Sequence, residues 1–130
     1  MKKPAITVVG SLNMDLLTTA SRIPDQGETN FGESFSMKPG GKGANQAVAA
    51  ARLGADVSLI GKVGNDSIGE QLIQHMKQEN INTEFIGSSN TQATGVANIL
   101  LTNKDNRIMV ISGANKEVTP DLCTLLKKNC

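Results

Sequence analysis

With 130 residues, 13 basic and 12 acidic side chains and a formal net charge of +1, the chain has the size of one ordinary domain. Its halves carry +2 and −1, and it has three Phe but no Trp or Tyr. Neither a basic patch nor a stacking platform is therefore offered to nucleic acid. Hydrophobic residues make up 38% of the chain and occur in short runs, far short of a membrane span.

The opening Met1-Lys2-Lys3-Pro4 precedes an apolar run too short for a signal-peptide core and without a small-residue cleavage site. Cys123 and Cys130 stand seven apart, whereas metal-binding pairs lie closer and need further His or Cys partners. A cytoplasmic chain with reduced, ordinary thiols is expected. No nucleic-acid or membrane partner is expected either.

Residues 5–10 (AITVVG) form a continuous apolar run closed by glycine, the pattern of a central strand buried on both faces of a parallel sheet. Two less regular extended stretches follow at 16–20 and 31–38, separated by the turn Pro24-Asp25-Gln26-Gly27. Alternation puts Phe31, Glu33, Phe35 and Met37 on one face of the second stretch, predicting one sheltered side. Pro39-Gly40-Gly41-Lys42-Gly43 then opens an alanine-rich helix over about 44–53, with Gly54 as its stop. Residues 57–61 (VSLIG) read as a second buried strand. Ser67-Ile68-Gly69-Glu70 has capping-box spacing for a helix over 67–79, with Ile68, Leu72, Ile73 and Met76 as its apolar stripe. A short strand is expected at 84–87. Stretches 95–102 and 107–112 flank the hairpin loop Asn103-Lys104-Asp105-Asn106. Thr119-Pro120 starts a last helix that runs toward Cys130. The order predicts an α/β chain: a parallel sheet with flanking helices and an attached antiparallel layer.

Two segments carry chemistry. In Gly40-Gly41-Lys42-Gly43-Ala44-Asn45-Gln46-Ala47, successive glycines before a helix bring backbone N–H groups within reach of a ligand oxygen, and the helix N-terminus adds positive potential. It is neither a Walker A loop nor a dinucleotide fingerprint; a tight strand-to-helix turn would use the same glycines. In Gly10-Ser11-Leu12-Asn13-Met14-Asp15, the amide and the carboxylate share one face of an extended segment at the carboxyl end of the first strand. Such a pair can donate to and accept from vicinal hydroxyls, as sugar recognition requires. A turn or helix cap would favour the same residue types. His75, the single histidine, falls among Gln74, Lys77 and Gln78 and reads as solvated. Residues 61–66 (GKVGND) read as a strand-to-helix turn capped by Asp66 or Ser67.

The Gly10–Asp15 segment, Pro24-x-x-Gly27-Glu28-Thr29 and the Gly40–Ala47 loop closely resemble the PfkB carbohydrate-kinase family, in the branch that acts on ribose. Gly54 and Gly64, with Gly64-Asn65-Asp66-Ser67-Ile68-Gly69 and Gly113-Ala114-Asn115, agree in order. The resemblance implies a ribokinase-like α/β fold with a β-lid built from strands near 16–20, 31–38, 95–102 and 107–112, and a homodimer formed through that lid. It implies ATP-dependent phosphorylation of D-ribose at the 5-hydroxyl, with Mg²⁺ on the nucleotide and K⁺ as activator. By motif position, Asn13 and Asp15 would bind ribose hydroxyls, and Gly41, Lys42, Gly43, Ala44 and Asn45 would form the adjoining wall. The family's catalytic aspartate lies in a D-T-x-G-A-G-D motif that this sequence does not contain. No catalytic base, nucleotide site or metal site is therefore assigned within it. The 130 residues are expected to be the N-terminal part of a family member, inactive alone and at most a sugar-binding or dimerising module.

Overall fold

The computed structural model describes residues 2–103 and 105–127; Met1, Lys104 and residues 128–130, with Cys130 and the expected continuation of the last helix toward it, lie outside the described residues. Seven strands and three α-helices follow one another as β1 (Ala5–Val9), β2 (Asn13–Thr19), β3 (Ser34–Gly40), α1 (Lys42–Arg52), β4 (Asp56–Gly64), α2 (Ser67–Gln78), β5 (Ile86–Ser89), β6 (Gly95–Leu101), β7 (Asn106–Ile111) and α3 (Pro120–Lys127). A 3-10 turn, Gly113–Glu117, separates β7 from α3.

The strands form two sheets. The first is parallel, in the order β1-β4-β5, with Ala5 opposite Asp56 and Gly61 opposite Ile86 at the starts of its two ladders. Both crossovers run in the same direction across it, and right-handed connections then lay α1 and α2 on one face. There Ala44 and Ala47 of α1 and Leu72 and Met76 of α2 join Val57, Leu59 and Val63 of β4 in a single cluster. The alanines of α1 let its backbone lie close to the sheet, while the leucine and methionine of α2 fill a wider gap.

The second sheet has the order β3-β2-β6-β7. Its outer pairs are antiparallel, but β2 and β6 are parallel, with Asn13 opposite Gly95 and Thr19 opposite Leu101. The layer is therefore mixed rather than wholly antiparallel. Two local hairpins are legible in sequence; the long-range pairing that joins them has no local signal. Met14 is buried, and Leu16 and Val96 pack partly on the main core, so the lower part of this sheet is anchored to the body.

Other expectations need correction. The run 5–10 does not give a central strand buried on both faces. β4 holds the centre and β1 the edge, so Ile6 and Val9 remain 39% and 51% exposed. An apolar run reports affinity for a sheet, not position within it. The stretch 31–38 forms a strand only from Ser34, and Phe31 is 98% exposed. β3 is one of the two outer strands of its sheet, and among the described residues no layer covers its apolar side. Helix α1 begins at Lys42, two residues before the predicted start, so Lys42 and Gly43 belong to its first turn. Asp66, not Ser67, caps α2: its carboxylate accepts the Gly69 N–H at 2.8 Å. The third strand of the parallel sheet lies at Ile86–Ser89, two residues beyond the stretch 84–87.

Candidate functional site

The chain leaves the carboxyl end of β1 through Gly10, Ser11 and Leu12 and turns directly into β2. Gly10 is anchored by its N–H, which donates to the Ile60 carbonyl at 3.1 Å, and Leu12 is fully buried. The N-terminus of α1 lies against this corner. A Cβ added to Gly43 would stand 2.6 Å from the Gly10 Cα and 2.7 Å from the Ser11 nitrogen, so the two backbones touch with no room for a side chain. The Ala44 N–H donates to the Ser11 carbonyl at 3.0 Å and fastens the contact.

Gly41 is the N-cap of α1 with φ 99°, and no side chain caps the helix. The Asn45 N–H turns back to the Gly41 carbonyl at 2.8 Å. The Lys42 and Gly43 amides have no acceptor among the described residues, which leaves donors at the positive end of the helix dipole. Such an end suits an electron-rich ligand oxygen.

Between this helix end and the second sheet lies a cleft of about 430 Å³, lined by Ser11, Asn13, Gly41, Lys42, Asn45, Val110, Ser112 and Asn115. Of the residues singled out in sequence, it brings together Asn13, Gly41, Lys42 and Asn45. Lys42 and Asn45 are exposed, and Gly43 and Ala44 are buried behind them against the corner. Asp15 follows Asn13 on the same face of β2 by strand alternation. Its carboxylate lies over Gly40, close enough that a Cβ there would stand 2.8 Å from Oδ2. Asp15 is not among the residues that line the cleft, and among the described residues no hydrogen bond is donated to its carboxylate, so its acceptor capacity is open.

Sequence reasoning missed Asn115 as a site residue. Its side chain crosses from the 3-10 turn to the corner. Oδ1 accepts the Leu12 N–H at 3.0 Å, and Nδ2 lies 3.1 Å from the Leu12 carbonyl, 3.0 Å from the Ser112 carbonyl and 2.7 Å from Asn13 Oδ1. The separation of 103 positions between Leu12 and Asn115 explains why spacing gave no hint. The turn itself is tied down by the Ala114 N–H on the Ala93 carbonyl at 2.7 Å and by Ser89 Oγ on Glu117 Oε1 at 2.7 Å. Lys62 Nζ stands 3.9 Å from the same Glu117 oxygen.

A second polar cluster supports the β5–β6 connection. The Thr94 N–H donates to Asp66 Oδ2 at 3.0 Å, and the Thr94 hydroxyl donates to Asp66 Oδ1 at 2.6 Å while accepting the Gly64 N–H at 2.8 Å. Burial pushes the Asp66 carboxyl up, but the Thr94 hydroxyl and amide and the Gly69 amide outweigh it and hold the group below its ordinary range. At the tip of the second sheet, the Arg22 guanidinium donates to both Glu28 oxygens, at 2.6 and 2.5 Å. With the Asp25 amide it holds the Glu28 carboxyl at about 2; the pair is exposed and closes the 24–27 turn. His75 is half-buried on α2 and faces an open groove lined by that helix alone. Among the described residues no three His, Cys, Asp or Glu gather as metal ligands. No described helix is long and apolar enough to cross a membrane.

Comparison with known proteins adds three findings. The family described as pfkB family carbohydrate kinase matches residues 3–129. A ribokinase of Lactococcus lactis is 53% identical over 116 residues, and a deoxyribokinase of Salmonella typhimurium is 40% identical over 117 residues. These alignments cover 88% and 89% of the chain and 38% of each relative. The solved structure of Arabidopsis thaliana ribokinase complexed with ribose and ATP superposes with a TM-score of 0.81 at 32% identity, covering 88% of this chain and 38% of that one. The chain thus spans well under half the length of the curated relatives it matches.

Proposed function

The chain belongs to the pfkB family of carbohydrate kinases, and from that premise we propose that it carries the sugar-recognition and lid portion of an enzyme that phosphorylates D-ribose on its 5-hydroxyl with ATP. The observation that carries this reading is the cleft in which the amide of Asn13, the first turn of α1 and the second sheet converge. A pentose presents several hydroxyls on a small ring, each able to donate and accept. Asn13 and Asp15 on one strand face, with the unpartnered amide of Lys42 opposite, match such a ligand in size and in hydrogen-bonding character. Lys42 and Asn45 close the wall, while Gly43 and Ala44 serve it from behind by letting α1 approach the corner. The second sheet is the lid.

ATP, Mg²⁺ and K⁺ belong to the proposed reaction through the family, and ATP is named in the complex of the Arabidopsis relative. The described residues supply no clustered carboxylates for a metal and the sequence no D-T-x-G-A-G-D motif. No step is routed through these groups. The 130-residue chain by itself is a sugar binder without turnover. Phe35, Ile108, Met109, Val110 and Ile111 expose apolar surface on the lid strands, and a lid-to-lid homodimer would cover part of it. A cytoplasmic enzyme with a small-molecule substrate, and without nucleic-acid or membrane partners, completes the proposal.

The test is calorimetric titration of the purified chain with D-ribose, beside an assay of ribose-dependent ADP release. Binding without ADP release supports the reading. In Asp15→Ala the loss of an open carboxylate acceptor weakens ribose by about 1.5–3 kcal/mol. Ribose affinity unchanged in that variant would remove Asp15 from the site.

A further inference from the structure

The amide of Asn115 admits one orientation. Its oxygen faces a single donor, the Leu12 N–H, at 3.0 Å, and its nitrogen faces three acceptors: the Leu12 carbonyl, the Ser112 carbonyl and Asn13 Oδ1. A flipped amide would set its oxygen against three oxygens and its nitrogen against an N–H, losing every bond. Asn13 inherits this order. With Asn13 Oδ1 accepting from Asn115 at 2.7 Å, the Asn13 nitrogen is the end left for a ligand in the cleft that both residues line. Gly95 beneath them completes the arrangement. A Cβ at that position would overlap both Asn115 Nδ2 and Asn13 Oδ1, so the pair is seated where a side chain would otherwise stand.

We propose that Asn115 is a positioning residue that fixes Asn13 as a hydrogen-bond donor toward the sugar. This deepens the reading of the cleft as a pentose site and rests on it. The site then has a built-in polarity. Asn13 reads one sugar oxygen as an acceptor, and the Asp15 carboxylate reads neighbouring hydroxyls as donors. A ligand position that has lost its oxygen is penalised at Asn13 only while Asn115 holds the amide in place. Freed from Asn115, the Asn13 amide can rotate and present either end, and the discrimination falls.

The experiment titrates wild type and Asn115→Ala with D-ribose and with its singly deoxygenated analogues. In wild type, one deoxygenation that leaves the Asp15 contacts intact weakens binding. In Asn115→Ala, ribose itself binds about tenfold more weakly, and the penalty for that one deoxygenation shrinks to about threefold or less, while penalties set by Asp15 persist. A uniform loss across all the sugars, which general loosening of the corner would give, overturns the proposal, as does unchanged discrimination. The wild-type free chain supplies a readout that needs neither a variant nor a ligand. Bonded to three oxygens, the Asn115 side-chain NH₂ protons exchange with solvent at least about tenfold more slowly than those of exposed Asn45, and equal rates overturn the pairing. Absence of any pentose binding in wild type would refute the sugar site; slow Asn115 exchange in that case would leave the amide pair standing on its own.

Discussion

Replacing Gly43 with alanine sets two effects of opposite sign against each other. Alanine is the better helix former by about 1 kcal/mol, and Gly43 lies in the first turn of α1. The new Cβ, however, would stand 2.6 Å from the Gly10 Cα and 2.7 Å from the Ser11 nitrogen, about 1 Å inside ordinary contact. Both are backbone atoms at a strand end held by the Gly10 N–H on Ile60 and by the Ala44 N–H on Ser11. Relief requires α1 to withdraw by about 1 Å. Overpacking of this kind costs about 1–3 kcal/mol, and opening the Ala44–Ser11 bond adds about 1 kcal/mol. The clash wins: Gly43→Ala is destabilised by about 1–3 kcal/mol net, read by urea denaturation followed by circular dichroism. Because Lys42 and Asn45 move with the helix, D-ribose affinity falls by about 10–100-fold. Ala49→Gly, at an exposed position of the same helix, is the control and loses only the propensity difference, about 1 kcal/mol. A Gly43→Ala chain that is more stable than wild type and binds ribose unchanged would refute the close approach of α1 to the corner.

Asp66→Ala removes the cap of α2 together with both bonds to Thr94, a loss of about 2–3 kcal/mol in urea denaturation. The Asp66 carboxyl is held below its ordinary range in the folded chain, so the unfolded chain binds the proton more readily there. This contribution to stability is complete above the unfolded carboxyl pKa of about 4 and is lost as pH falls through the lower folded value. Denaturation midpoints therefore decline on acidification below about pH 4, less steeply in Asp66→Ala; equal slopes in the two chains would contradict the assignment. The Arg22–Glu28 pair shares this sign but is exposed, so Glu28→Gln leaves the midpoint near that of wild type at pH 7. On the proposed lid-to-lid dimer, wild type sediments as a dimer in analytical ultracentrifugation and a Phe35→Ser, Met109→Lys double variant, altering two exposed side chains of the second sheet, as a monomer; a monomeric wild type would refute the dimer. Dimers of unaltered strength would place the interface elsewhere.

Much of the fold was legible because its signals are local. The Ala-rich segment before Gly54, the apolar stripe of Ile68, Leu72, Ile73 and Met76, and the Asn103–Asn106 turn each specify an element within a few residues. Of the two segments singled out, Asn13, Gly41, Lys42 and Asn45 line the proposed cleft. Position within a sheet was not legible. The run 5–10 reads the same at a centre or at an edge, and whether Phe31 and Phe35 are covered depends on what packs over β3. The parallel pairing of β2 with β6 and the bridge from Asn115 to the corner join segments about a hundred residues or fewer apart in the chain, where no periodicity reaches. Gly43 and Ala44 illustrate a subtler limit. Their motif adjoins the proposed site, but their contacts are with Gly10 and Ser11, and the part they play is to admit the helix.

The most direct measurement of the central claim is a D-ribose titration of the ¹⁵N-labelled chain followed by NMR. Saturable shifts gathered at Asn13, Asp15, Gly41–Asn45 and the Asn115 side chain, with α2 and the Arg22–Glu28 tip unmoved, are predicted. Shifts confined to other surfaces, or none up to saturating sugar, would contradict the assignment of the cleft as a pentose site.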